Sequence, residues 1–191
     1  MTKILFEKGK ILQKQVDVAA LTKMAMCVAL CCVTAFFAFP LPFTPGMVTA
    51  LTIAMSLTAY ILNPRQTFTV ILIYLLLGGI GVPVFAGGAG LGKLFGPVGG
   101  FYFAWLIAYP LLSALKGDEI NFKRYLLVNI AATIPITYIG GLISMLLVMK
   151  ITLIQALTMA VLPYIFGDVL KAAAAAFIAV KLNSTKNFQR Y

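Results

Sequence analysis

The chain has 191 residues, 62% of them hydrophobic and only 10% charged, with a mean hydropathy of +1.01; soluble domains carry about 25% charged residues. This composition predicts an integral membrane protein with one folded domain and excludes a separate soluble unit. The net charge of +10 does not mark a nucleic-acid-binding protein, because the basic residues sort by predicted membrane side instead of gathering in a projecting domain.

Residues 1–18 are polar and basic and are expected to form a cytoplasmic N-terminal segment. No signal-peptide cleavage pattern separates them from the first span. Six spans are predicted. Span one covers Ala19–Phe39 and ends in the proline-rich run Pro40–Gly46, an expected rigid outer turn. Span two covers Met47–Leu62, and Asn63-Pro64-Arg65 turns the chain on the inner side. Span three covers Thr67–Val82, and Gly96-Pro97 opens a fourth that continues to Leu115. Lys116–Arg124 is expected as a charged inner loop. Span five covers Tyr125–Met149, with Pro135 and Gly140-Gly141 as expected kink points. Lys150 marks a short outer turn, span six covers Leu153–Leu182, and residues 183–191 form a cytoplasmic tail. The fold class is therefore an all-α membrane protein over residues 19–182 with both termini cytoplasmic. In this arrangement every lysine and arginine except Lys93, Lys150 and Lys171 falls on the inner face, as the positive-inside bias requires.

Ten of the 16 glycines lie between Gly78 and Gly100. This segment, between spans three and four, is apolar yet too rich in glycine for a helix. It is expected to fold as a re-entrant or capping loop on the outer side, since glycine lets backbone approach a ligand closely. Gly87 to Lys93 matches the first positions of a P-loop pattern, but Leu94 stands where a magnesium-binding Ser/Thr belongs. Nucleotide binding is excluded on that ground and by the loop's predicted outer location. Lys93 remains a cation suited to a ligand carboxylate. Cys27, Cys31 and Cys32 read as small apolar packing residues, and a chain with no histidine offers no plausible zinc cluster. Ala25 and Ala29 form a small-x-x-x-small pair on span one, a face on which helices approach closely in lipid.

Asp168 and Lys171 interrupt an otherwise apolar span. Unpaired ionisable groups in a membrane cost several kcal/mol each, but at i, i+3 the two share a helix face and offset one another. Such a pair points to a bundle interior or a polar cavity, at the depth of the glycine-rich loop.

Pro83-Val84-Phe85-Ala86-Gly87-Gly88, followed by Leu94-Phe95-Gly96-Pro97-Val98-Gly99-Gly100-Phe101, resembles the signature of the BioY family, the biotin-specific substrate-binding (S) components of energy-coupling factor (ECF) transporters. Val98 and Phe101 replace a Thr and a Tyr frequent there. Pro42-Phe43-Thr44-Pro45, Asn63-Pro64-Arg65 and Gly167-Asp168-Val169-Leu170-Lys171 also look like family segments, and the resemblance covers roughly residues 20–182. It implies a six-helix transporter component in a bacterial or archaeal cell membrane. It also implies a transmembrane scaffold subunit docked on Ala25 and Ala29, two partner ATPase subunits, and biotin as cargo with no cofactor. Substrate contacts are expected at Asp168 and Lys171, at Gly87, Gly88, Gly99 and Gly100 with Lys93, and at Phe85, Phe101 and Tyr164 for the apolar middle of the ligand. Asp168 is the acceptor expected for ureido N–H groups, and Lys171 or Lys93 the donor for the ureido oxygen or the carboxylate; the reverse orientation is open. The alternatives are an S component for another vitamin or a biotin precursor, a solitary proton-coupled carrier titrating at Asp168, and an intramembrane lipid enzyme. The last would want a second membrane carboxylate or a histidine. No catalytic constellation is recognisable, so the chain is not expected to be an enzyme.

Overall fold

The computed structural model describes residues 18–185. The expected N-terminal segment up to residue 17 and the tail beyond residue 185 lie outside them. Helix α1 (Val18–Thr34) leads into a two-stranded antiparallel hairpin, β1 (Ala38–Pro40) and β2 (Met47–Thr49), followed by α2 (Leu51–Ile61) and α3 (Pro64–Gly79). A short turn of helix, α4 (Leu91–Leu94), lies within the glycine-rich loop before α5 (Gly99–Leu115). Then come α6 (Phe122–Val128), a π-helical turn (Asn129–Thr133), α7 (Ile134–Met149), α8 (Leu153–Ala160) and α9 (Ile165–Ser184).

Several expectations are corrected. The fold is mostly helical but not all-α: span one stops at Thr34, and the Pro-rich turn belongs to the hairpin Ala38–Thr49. Proline lacks a ladder donor and is tolerated at a strand end, which suits Pro40 at the end of β1. Span six is two helices bent by 44°, because Pro163 lies in the turn between α8 and α9 and cannot continue a helix. Helix α9 runs past Leu182 to Ser184, with Asn183 buried. Gly140 and Gly141 do not kink α7. They make room for α5: a Cβ at Gly140 would press on the Gly100 carbonyl, and one at Gly141 would overlap the Phe101 ring. Small residues allow such close crossings where lipid supplies no hydrophobic drive between helices.

Phe122–Met149 is one continuous apolar stretch of 28 residues, long enough to cross a membrane alone, and α8 with α9 passes the same length and hydropathy test as a bent pair. Helices α1, α2 and α5 are apolar but shorter. Across the bundle, outward faces carry large apolar side chains, such as Met26 and Val33 on α1, Ile107 on α5, Leu147 on α7 and Phe177 on α9, a surface matched to lipid tails.

Helix α5 packs on α7 and α3, while α9 packs on α2. Local sequence sets the starts of two helices. Asn63 and Gln66 form a reciprocal capping box for α3 with Pro64 in its first turn, and Thr152 and Gln155 do the same for α8. At the end remote from the hairpin, Lys116, which opens the expected charged inner loop, is only 5% exposed. Its ammonium donates to the carbonyls of Ala59 (2.6 Å), Tyr60 (3.0 Å) and Leu62. These are the free carbonyls at the C-terminus of α2, where a cation is also favoured by the helix dipole. Nearby, Tyr60 and Tyr125 stack at 4.5 Å. The Asn183 amide donates to the Tyr60 carbonyl and the Tyr125 hydroxyl.

Candidate functional site

The glycine-rich loop is held by a few specific contacts. The Tyr74 hydroxyl donates to the Val84 carbonyl at 2.8 Å, and the Gly90 N–H donates to the Gly78 carbonyl at 2.7 Å. Phe85 is buried against the rings of Tyr74 and Tyr102, over the space that a Cβ at Gly78 would fill. Gly87, Gly88 and Gly90 have positive φ values of 75°, 139° and 93°, a region that L side chains rarely adopt. The backbone therefore doubles back, with Phe85 and Gly88 bonded in both directions. Lys93 turns inward and donates to the Ala86 carbonyl at 3.3 Å.

Beneath this loop is a cavity of about 100 Å³. Pro45, Gly46 and Met47 enter from the hairpin, Thr52 from α2, Ala86 and Lys93 from the loop, and Phe101, Tyr102 and Trp105 from α5. Thr137 and Tyr138 enter from α7, Tyr164 from the break between α8 and α9, and Asp168 and Lys171 from α9. The walls are mostly aromatic and aliphatic with few polar groups, the usual plan of a small-molecule site.

Asp168 is the polar centre. Lys171 Nζ donates to its Oδ1 at 2.7 Å and the Tyr138 hydroxyl to its Oδ2 at 2.8 Å. Both side chains of the ion pair are 16% exposed. The interruption of the helix after Ala160 puts Asp168 in the first turn of a new helix, where the N-terminal dipole favours a carboxylate. Tyr164 is tied to the hairpin through Thr44, hydroxyl to hydroxyl at 3.3 Å. A second, smaller cavity of about 20 Å³ shares Thr52, Thr137, Tyr138, Asp168 and Lys171 and continues toward Ser56, Tyr109 and Asn129.

Of the residues singled out in the sequence, Asp168, Lys171, Lys93, Phe101 and Tyr164 meet at the cavity beneath the loop. Phe85, Gly87, Gly88, Gly99 and Gly100 do not line it. Phe85 packs in the core, Gly87 lies against Met47, Gly99 fits under the Leu94 carbonyl, and Gly100 crosses Gly140. Ala25 and Ala29 are exposed on α1 and belong to neither cavity. Sequence reasoning missed Tyr138, Trp105, Thr52 and Met47. A signal existed for Trp105 alone, the single tryptophan of the chain, four residues beyond Phe101 and so on the same helix face.

Comparison with known proteins gives a consistent result. A family profile described as BioY family matches residues 9–188. A "Probable biotin transporter BioY" from Bacillus subtilis is 38% identical over 149 residues, 74% of this chain and 77% of that protein. "Biotin transporter BioY2" from Lactococcus lactis is 35% identical over 166 residues, 85% of this chain and 89% of its own length. Among solved structures, one described as the S-component for biotin from an ECF-type ABC transporter superposes with a TM-score of 0.84. It is 25% identical and covers 93% of this chain and 97% of its own.

Proposed function

The chain belongs to the BioY family, and from this we propose that it captures biotin and delivers it across the membrane as the S component of an ECF-type transporter. Relatives named as biotin transporters and a structural neighbour described as a biotin S-component support this reading. The observation that carries it within this chain is the meeting of Asp168, Lys171 and Lys93 around one mostly apolar cavity. The chain is a membrane transporter component and not an enzyme, and biotin is cargo; the reading assigns it no cofactor.

The proposed topology has six membrane crossings, with both termini and the Lys116 end cytoplasmic and the hairpin and glycine-rich loop outside. Residues 19–182 form the substrate-binding domain, flanked by cytoplasmic segments 1–18 and 183–191, in a multi-pass protein of the cell membrane. Helix α8 with α9 supplies one crossing in this scheme, and α6 with α7 another. Energy for uptake comes from two ATPase subunits through a scaffold subunit. The exposed pair Ala25 and Ala29 supports a close helix contact with that scaffold.

Asp168 accepts from a ureido N–H, and Tyr138 fixes the carboxylate's orientation. Phe101, Tyr102 and Tyr164 enclose the thioether ring and the hydrocarbon chain. Lys93, on the loop, meets the carboxylate, so the charged end of biotin stays nearest water. Isothermal titration of biotin into detergent-solubilised protein tests the reading. One-to-one binding should weaken at least about 30-fold in Asp168→Asn, the scale for disrupting a partly buried charge pair. Folded wild-type protein that does not bind biotin would remove the assignment.

A further inference from the structure

Two polar atoms of residues lining the cavity beneath the loop have no hydrogen-bond partner in the protein: Trp105 Nε1 and Thr52 Oγ1. Trp105 is 7% exposed, so its N–H gains little from bulk water. An indole N–H only donates, and leaving such a donor unpaired in an apolar interior costs more than a hydrogen bond returns. The ring itself is well held, edge-on to Tyr102 at 4.9 Å. The donor therefore belongs to a well-held ring on the cavity wall and bonds to no acceptor of the protein.

We propose that Trp105, assisted by Thr52, is a specificity residue that donates to the ureido oxygen of bound biotin. This rests on the biotin reading above and extends it to residues outside the Asp168–Lys171 pair. A ureido group presents N–H, C=O and N–H along one edge. The cavity presents an acceptor, Asp168, together with the neutral donors of Trp105 and Thr52. Neutral donors suit a neutral carbonyl oxygen, whereas a buried carboxylate calls for a cation, and the cation on the loop is Lys93. Trp105 lies about 6 Å deeper along α5 than Phe101, from four residues at about 1.5 Å each, which suits the head group and not the charged tail. A ligand without a carbonyl at this position leaves the indole unpaired, and this is how a polar site rejects a close analogue.

Because Trp105 is the only tryptophan, protein labelled with 15N-tryptophan has a single indole N–H resonance. Saturation with biotin should move that proton downfield and slow its exchange with deuterated water. Trp105→Phe keeps the aromatic body and should bind biotin about tenfold more weakly. Biotin 13C-labelled at the ureido carbon should show that carbon moved upfield in the variant's complex relative to wild type. An indole resonance unmoved at saturation, wild-type affinity in Trp105→Phe, or an unchanged ureido carbon would each overturn the inference. The indole measurement uses wild-type protein and stands if the variant fails to fold. Absence of biotin binding by folded wild-type protein would instead sink the proposed function.

Discussion

Two lysines sit in apolar surroundings toward opposite ends of this bundle and are satisfied in different ways. Lys116 is 5% exposed, and its ammonium is received by backbone carbonyls at the end of α2. Lys171 is 16% exposed on its side chain, is received by one carboxylate, and borders a cavity with unpaired donors on its walls. The first is closed by the fold and acts as a helix cap. The second is balanced by a partner that also faces the ligand space. The chemistry of the surrounding acceptors, more than depth of burial, separates the two: backbone carbonyls around Lys116, a cavity-facing carboxylate beside Lys171.

Three substitutions probe this contrast, in falling order of expected effect. Lys171→Met leaves the Asp168 carboxylate without its cation and should cost about 3 kcal/mol of biotin binding, more than a hundredfold in Kd, read by titration calorimetry. Its thermal midpoint should fall as well, because the folded protein is left with an uncompensated carboxylate. Lys116→Met removes a shared donor from the α2 carbonyls, of which Tyr60 keeps Asn183 and Leu62 keeps Ser113, and should cost about 2 kcal/mol of folding stability, lowering the midpoint in a thermal-shift assay while the folded fraction binds biotin with unchanged Kd. If Lys116→Met weakened binding as strongly as Lys171→Met, the distinction between the two ends would collapse. Tyr138→Phe removes the hydroxyl that holds Asp168 Oδ2 and should cost about 1 kcal/mol of affinity. A wild-type Kd in that variant would mean that Lys171 alone orients the carboxylate.

Much of this is legible in the sequence. Asp168 and Lys171 stand out because ions in an apolar run are costly wherever the chain goes. The glycine cluster stands out because it is apolar and yet unfit for a helix. Both signals are local. The place of Thr52 and Tyr138 at the cavity was hidden because it arises from contact among helices far apart in sequence, whereas Trp105 shares a helix face with Phe101. The break in the last span was legible in principle, since Pro163 carries it, but uniform hydropathy masked it. The hairpin Ala38–Thr49 gave no comparable signal, as its strands are three residues each and lie against helical runs of the same apolar composition.

The π-helical turn at Asn129–Thr133 has a consequence for how this protein tolerates change. A wide turn inserts one residue into the regular helical count, and each residue turns a helix by about 100°. That offset sets the phase between α6 and α7, and α7 presents Thr137 and Tyr138 to the cavity. The length of residues 129–133 is thus a geometric constant of the site. Deleting Ala131 would restore a regular helix and swing Tyr138 away from Asp168, although no residue touching the ligand space would have been altered.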